Sequence, residues 1–444
     1  MAPAGDLLTQ PRAVHHAICL GCGCACDDIA VHVFADRITE ARNACALGAQ
    51  WFGNGVVPSA IRVNGADTAL ADALSAIASS IRQARQMAIY IAPEISCEAQ
   101  REAVALGDLV HGVVDTISSA TVLPTILAAQ ERGRTGATLG EIRNRADVVV
   151  FWGVDPNERY PRFPSRYAPE PVGVHVDGGR KSRRVIAVDT QRSRGPQDAD
   201  LRLAVTDDQE VATLIATAAM VHKPETSFDE PLGNVAALLA KELVGGRYVA
   251  LVADAEPQAP SSNDRLPDLS EAQRAAALIA LAQSLNGPTR CALITLRAGG
   301  NRAGAEAVLT AHAGYPTGVS FATGFPVYRP HDSMRTTDMV MIVGDASQVP
   351  SDVMARFTGA PLAIIGPRAS VQPVAQAAHP SVTGERDASR EQTLVVTIDT
   401  GVAGIHVNGT ALRMDDVPLR LRPSVHRGLD PAEVLRALRE QVLR

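Results

Sequence analysis

The 444-residue sequence predicts an α/β protein: a small N-terminal cysteine-rich β segment followed by two doubly wound parallel-sheet domains. Three observations predict it. Short runs of Val, Ile and Leu recur along the chain without polar alternation, the pattern of strands buried on both faces. Amphipathic stretches rich in Ala and Leu separate these runs, as crossover helices separate parallel strands. The first fifty residues read differently, with alternating polar and apolar positions and five of the seven cysteines.

Taken in order, DDIAVHVFADRITEARNACAL (27–47) alternates around a turn at Ala35-Asp36 and predicts a small antiparallel hairpin. The buried strands that follow are MAIYIA from Met87, DVVVFWG from Asp147, RVIAVD from Arg184, YVALVAD from Tyr248, CALITL from Cys291, DMVMIVGD from Asp338 and PLAIIG from Pro361. Between them, TDDQEVATLIATAAMV from Thr206 and SEAQRAAALIALAQSL from Ser270 read as helices. GIHVNGTALRMDDVPLRLRP near the C-terminus has a strand–turn–strand pattern, and NDRLPDLSE from Asn263 and SVTGERDASREQ from Ser381 are the most loop-like stretches. The expected layout is a cysteine-rich domain at 1–56 and a first α/β domain whose halves are 57–125 and 325–400. A second α/β domain at 126–324 is inserted between those halves, and C-terminal strands and a helix occupy 401–444.

Composition narrows the function classes. Hydrophobic residues make up 46% and charged residues 20%, as in a folded globular protein. No run of 18 apolar residues is present, so no membrane partner is expected. MAPAGDLLTQPRAV lacks a basic segment followed by an apolar one, so the expected location is the cytoplasm. Three lysines (Lys181, Lys223, Lys241) accompany scattered arginines at a net charge of −6, which argues against nucleic-acid binding. In a reducing compartment the cysteines read as metal ligands or free thiols sooner than as disulfides.

Four of them, Cys19, Cys22, Cys26 and Cys45, form C-x2-C-x3-C-x18-C. Three fit one loop wrapped around a metal site, and the distant fourth closes it. Thiolate is the soft ligand that iron–sulfur clusters and zinc select, and the unequal x2/x3 spacing favours a cubane over the paired C-x2-C knuckles of structural zinc. Gly21 and Gly23 let the loop turn tightly and bring amides towards the sulfurs. Cys24 falls between two ligands as a spare. The competing reading makes all of these packing cysteines. His15 and His16 precede the loop, either beside the ligands or simply exposed.

CLGCGCACDDI from Cys19 with NACALG from Asn43 resembles the N-terminus of the B subunit of formylmethanofuran dehydrogenase, a family of the molybdopterin/tungstopterin oxidoreductase superfamily. The likeness continues in SCEAQREAV from Ser96, TLGEIRNRADVVVFWGVDPNERYPR from Thr138 and GTALRMDDVPLRLR from Gly409, and so spans nearly the whole chain. The resemblance implies a molybdopterin-oxidoreductase-like fold, with Cys19, Cys22, Cys26 and Cys45 as [4Fe-4S]-type ligands. It also implies a catalytic metal on two pterin guanine dinucleotides, ligated by a cysteine or selenocysteine in a Cys-His-Gly-Pro-type segment. The corresponding stretch here is DTISSATVLPTI from Asp115, which puts Thr121 at the metal-ligand position and Val122 at the histidine position. A hydroxyl is a poor ligand for a soft metal and valine cannot move a proton, so molybdopterin or tungstopterin is expected to be lost.

With that departure the chain is similar to the B subunits of bacterial formyltransferase/hydrolase complexes. The similarity implies a non-catalytic scaffold in tetrahydromethanopterin-dependent oxidation of formaldehyde to formate. Its expected partners are the other members of such a complex: the hydrolase, which is the A subunit, the C subunit, and the formyltransferase, which is the D subunit. One alternative is an active molybdenum or tungsten iron–sulfur dehydrogenase subunit with another ligand; another is a standalone iron–sulfur electron carrier. Cys97, next to Glu98, and Cys291, at the head of a strand, offer little as substitutes.

Asp155, Asn157 and Asp189 lie where strands run into loops, positions that line nucleotide crevices in doubly wound sheets. They are candidates for a vestigial pterin-dinucleotide crevice, or else ordinary helix caps and turn formers. The glycine-rich LRAGGNRAG from Leu296 carries the same two readings. GYPTGVSFATGFPVYRP from Gly314 is expected to be an ordered loop near the family's active-site funnel or at a partner contact.

Overall fold

The computed structural model describes residues 10–254, 269–329, 337–357, 359–373 and 393–444. SVTGERDASREQ lies outside the described residues, as do residues 263–268 of NDRLPDLSE.

The N-terminal unit is a three-stranded antiparallel sheet, Arg12–Ala17, Ile29–Phe34 and Arg37–Arg42. The turn of its hairpin falls on Ala35 and Asp36, both with positive φ (46° and 57°), as a tight right-twisted hairpin requires. The first strand, which carries the exposed His15 and His16, was not legible in the sequence.

The larger sheet has nine strands. From edge to edge they are Val327–Tyr328, Val319–Ser320, Val113–Thr116, Met87–Ile91, Met339–Val343, Leu362–Gly366, Val395–Asp399, Ile61–Val63 and Ala66–Asp67. The five central strands are mutually parallel, and short antiparallel strands close both edges. Odd residues of Met87–Ile91 pack with the helices Leu70–Gln83, Cys97–Leu109, Arg302–Ala313 and Pro431–Val442. The even residues Ala88 and Tyr90 pack on the other side with Val353 and Phe357. Period-two burial on both faces is why these strands read as unbroken apolar runs.

The second sheet has five strands, all parallel, in the order Leu201–Ala204, Arg184–Asp189, Val148–Trp152, Val249–Asp254, Cys291–Leu296. Val148, Val150 and Trp152 face the helices Glu210–His222, Leu232–Val244 and Leu269–Leu285. Val149 and Phe151 face the opposite way, into one apolar cluster with Cys19, Cys22, Cys24 and Cys26. The cysteine loop is thus packed onto the second sheet.

Local chemistry sets the helix starts. Ser96 accepts a hydrogen bond from the Ala99 amide, Asp430 from the Ala432 amide, and Thr138 with Glu141 forms a reciprocal capping box. The last helix, Pro431–Val442, buries Val434, Leu435 and Leu438 against the larger sheet's helices, while Arg436 and Arg439 bracket Glu102. Among the described residues no helix is long and apolar enough to cross a membrane.

Candidate functional site

The cysteine loop is closed by a hydrogen bond from the Cys19 amide to the Cys26 carbonyl (2.9 Å) and turned by one from the Ala25 amide to the Cys22 carbonyl (3.1 Å). Gly23 is required by close approach. A Cβ there would sit 2.2 Å from the Arg297 carbonyl oxygen, at the end of the second sheet's edge strand. The fourth cysteine, Cys45, stands at the N-cap of the helix Ala46–Phe52. A Cβ on Gly48 would lie 3.2 Å from the Cys19 Sγ and 4.0 Å from the Cys45 Sγ, so these two sulfurs flank one bare stretch of helix. The Gly21 amide points at the Cys19 Sγ (3.4 Å).

Burial raises the Cys19 thiol far above its ordinary value, and Cys22, Cys26 and Cys45 each add to that from nearby. Cys22 is lowered because the Cys24 thiol bonds to it, and Cys24, fully buried, is raised in return. Cys26 is raised by burial, against which the Arg166 charge acts. Cys19, Cys22 and Cys26 are therefore buried near one another, Cys24 is held against Cys22, and Cys45, half-buried, stands beside Cys19. Among the described residues no group of three or more Cys, His, Asp or Glu side chains is arranged to hold a single metal ion. The sulfurs are donors of the soft kind that iron–sulfur clusters and zinc take.

Two arginines back the loop from the stretch that follows the strand Val148–Trp152. Arg162 grips Asp28 with two bonds of 2.6 Å, and Arg166 bonds Asp27 (2.6 Å) and Asp28. Burial opposes ionisation of Asp28, but the Arg162 bond and both guanidinium charges outweigh it, so its pKa lies below the usual carboxylate value. These pairings span more than 130 residues of chain, and sequence reading missed them for that reason.

At the position where the resemblance implies a metal ligand, Thr121 ends a four-residue helix, Ser118–Thr121, and its Oγ1 donates back to the Ile117 carbonyl (3.1 Å). Val122 is 1% exposed. Around them Asp115 accepts from the amides of Thr116 (2.8 Å) and Gly318 (3.0 Å) and from Ser119, which also contacts Thr317. Ser118 bonds Glu306, itself paired with Arg297 (2.8 Å). Neither position carries a thiol or an imidazole, and the polar groups around them satisfy one another. The residues do not fit a soft catalytic metal.

The other candidates are engaged locally. Asp155 caps Pro156–Arg159 by accepting from the Asn157 amide (2.9 Å) and side chain (3.0 Å). Asp189 accepts from the Gly195 amide (2.9 Å) and takes both of its oxygens to Arg202. The crevice between Val148–Trp152 and Val249–Asp254, where the strand order reverses, is bridged by the Arg159–Asp254 ion pair. Cys97 is buried at the head of its helix and bonded to Asn301, with its pKa raised by burial first and by Glu98 to a lesser degree. Cys291 is pushed up to about 12 by burial.

A second reversal of strand order lies in the larger sheet, between Met87–Ile91 and Met339–Val343. A cavity of about 380 Å³ opens there, walled by Glu94, Asp345 and Arg368 from the strand ends, by Gly299 from the turn after Cys291–Leu296, by Arg302 at the head of the helix Arg302–Ala313, and by Leu20 of the cysteine loop. Sequence reading passed over Glu94 and Asp345. The available signal was their place, just past two strand ends.

Two largely parallel sheets with a five-thiol N-terminal unit packed on one of them define a two-sheet α/β protein of the fold class expected from the sequence. No family model matches the chain. It is 28% identical over 447 residues to the B subunit of tungsten-containing formylmethanofuran dehydrogenase 2 from Methanocaldococcus jannaschii, covering 95% of each chain. The same subunit of Methanococcus maripaludis is 29% identical over 450 residues, covering 96% of this chain and 98% of that one. The fold matches a chain in the crystal structure of the formyltransferase/hydrolase complex from Methylorubrum extorquens with methylofuran. That match has a TM-score of 0.64 and 20% identity, covering 86% of this chain and 99% of that chain. The chain is homologous to the B subunit of formylmethanofuran dehydrogenase.

Proposed function

We propose that this chain is a non-catalytic scaffold subunit of a formyltransferase/hydrolase complex in tetrahydromethanopterin-dependent oxidation of formaldehyde to formate. Its partners are the hydrolase, the formyltransferase and the remaining C subunit of that complex, and it works in the cytoplasm. One observation carries the reading: at the positions where the resemblance implies a thiol and a histidine, Thr121 turns its hydroxyl back to the Ile117 carbonyl and Val122 is a buried apolar side chain. The fold match to a chain of such a complex supports it. A second reading, a working dehydrogenase subunit, is favoured by the tungsten-containing sequence relatives. Elemental analysis of the chain co-purified with its partners separates the two. The expected result is iron without tungsten or molybdenum, and no dye-linked oxidation of formylmethanofuran. Stoichiometric tungsten with that activity refutes the scaffold reading.

Cys19, Cys22, Cys26 and Cys45 are the residues that hold the iron–sulfur cluster under this reading. When bound, a four-iron cluster supplies a one-electron couple; with no terminal metal in the chain, it serves to tie the cysteine loop to the helix that carries Cys45. Accommodating it requires the Cys22 thiol to leave Cys24. In anaerobically reconstituted protein, Cys22→Ser is expected to lose most of the roughly four irons per chain and the associated visible absorbance. Assembly with the partner subunits should weaken in parallel. Full iron content in Cys22→Ser removes that residue from the ligand set.

A further inference from the structure

We infer that the rim of the N-terminal sheet around Phe34 is a docking surface for a carboxylate-rich segment of a partner protein, held by Arg12, Arg37 and Arg422. Phe34 ends its strand at the hairpin turn and is 49% exposed, and Arg37 begins the next strand. The two residues face each other across the hairpin. Arg12 lies on the neighbouring strand, opposite Val33. Its Nη2 donates to the Ser424 carbonyl, and Arg422 stands two residues before Ser424. Three segments distant in sequence thus bring exposed arginines to the neighbourhood of one bare aromatic ring.

The charge of this rim is uncompensated. Each carboxylate of residues 12–42 is ion-paired with an arginine: Asp27 with Arg166, Asp28 with Arg162 and Arg166, Asp36 with Arg427, and Glu40 with Arg42. Arg37 and Arg422 have no partner among the described residues, and Arg12 bonds only a neutral carbonyl, so all three keep a full positive charge. The surface is also formed before a partner arrives. The Arg427–Asp36 pair and the bonds of the Ser424 and Val425 amides to the Ile405 carbonyl (2.9 and 2.8 Å) fix the segment after Arg422 against the hairpin turn. The same chemistry chooses among occupants. A second copy meeting this rim across a two-fold axis would set the three cations against themselves. A nucleic acid draws on a longer basic track, whereas here three cations stand on a chain of net charge −6. Carboxylates on an extended segment, with an apolar side chain to cover Phe34, match both the charge and the ring. That the segment belongs to another subunit of the complex rests on the scaffold reading; the charge match does not.

The test is fluorescence anisotropy of the full-length chain with a labelled heptapeptide of six glutamates around one leucine. Saturable binding is expected at low ionic strength, with its loss in about 0.5 M salt, where screening shortens the reach of exposed charges to a few ångströms. Arg37→Glu should weaken binding about tenfold, roughly 1.4 kcal/mol, with an unchanged thermal midpoint, and Arg422→Glu should act in the same direction. Phe34→Ala should weaken it severalfold and leave the salt dependence as it is. Arg290→Glu makes the same charge change at an exposed position before the strand Cys291–Leu296 and should keep the wild-type affinity. The proposal is overturned by the absence of salt-sensitive binding, by equal losses in Arg290→Glu and Arg37→Glu, or by tighter binding of an oligonucleotide of equal charge. None of these readouts depends on the metal content that tests the scaffold reading, so the two can fail separately.

Discussion

Asn301→Ala is expected to lower the unfolding free energy by about 4 kcal/mol, the sum of several buried groups left unpaired at roughly 1–3 kcal/mol each. Asn301 is fully buried, and its side chain joins three segments that are distant in sequence. Its Nδ2 donates to the Ile95 carbonyl (3.0 Å), to the Gln100 side chain (3.3 Å) and to the Thr410 carbonyl (3.4 Å), and it reaches the Cys97 Sγ (3.4 Å). Its Oδ1 accepts from the Leu412 amide (2.8 Å). One side chain thus pins the loop after Met87–Ile91, the helix Cys97–Leu109 and the strand Gly409–Leu412 to the end of the second sheet's edge strand. Alanine removes the acceptor of the Leu412 amide and leaves the Ile95 carbonyl with only the long bond from the Gln100 side chain (3.5 Å). The urea midpoint checks the magnitude, with an unchanged denaturant slope as the control for two-state behaviour. Cys97, 2% exposed and covered by Asn301, should become reactive towards a thiol reagent in the same variant. A wild-type midpoint would mean that the junction is held by packing alone.

That residue also shows where sequence reading stops. Strands such as Val148–Trp152 were legible because burial on both faces leaves only Val, Phe and Trp in the run. The hairpin around Ala35-Asp36 was legible because one buried face imposes alternation. Arg12–Ala17 was not, since its pattern is mostly exposed and its pairing with Ile29–Phe34 is decided by the partner strand. Val395–Asp399 was passed over although its five residues are all buried, because no helix-like stretch precedes it to mark a strand–helix repeat. At the site, the spacing of Cys19, Cys22, Cys26 and Cys45 was local and could be read. The bonds of Arg162 and Arg166 to Asp27 and Asp28 were not, because nothing in a linear pattern says which of many arginines folds back onto the loop. The cavity was hidden for the same reason. Glu94, Asp345 and Arg368 are separate strand-end residues until the strand order brings them to one crevice.

The larger pH effect belongs to that crevice. Glu94→Gln is expected to make the chain more stable than wild type above pH 8, by a few kcal/mol, and to leave stability nearly unchanged below pH 4.5. Burial raises the folded-state Glu94 from an ordinary 4.5 to about 8, and the negative charge of Asp345 adds to it. Below 4.5 the carboxyl is protonated in both states and contributes no difference. Between 4.5 and 8 the unfolded chain gives up the proton while the folded chain keeps it, so the unfolded state gains and wild-type stability falls as pH rises. Above 8 the folded carboxyl ionises as well and the loss levels off. Glutamine has no proton to lose, so its profile should lack this slope, and thermal midpoints from pH 4 to 9 for the two proteins should diverge only across that window. Asp345→Asn is the companion. It keeps an oxygen for the Ser347 amide and removes the neighbouring charge, so the wild-type slope should shorten from its alkaline end. Parallel midpoints for wild type and Glu94→Gln across the range would mean that Glu94 is ionised at neutral pH. The cavity wall would then carry two negative charges, those of Glu94 and Asp345.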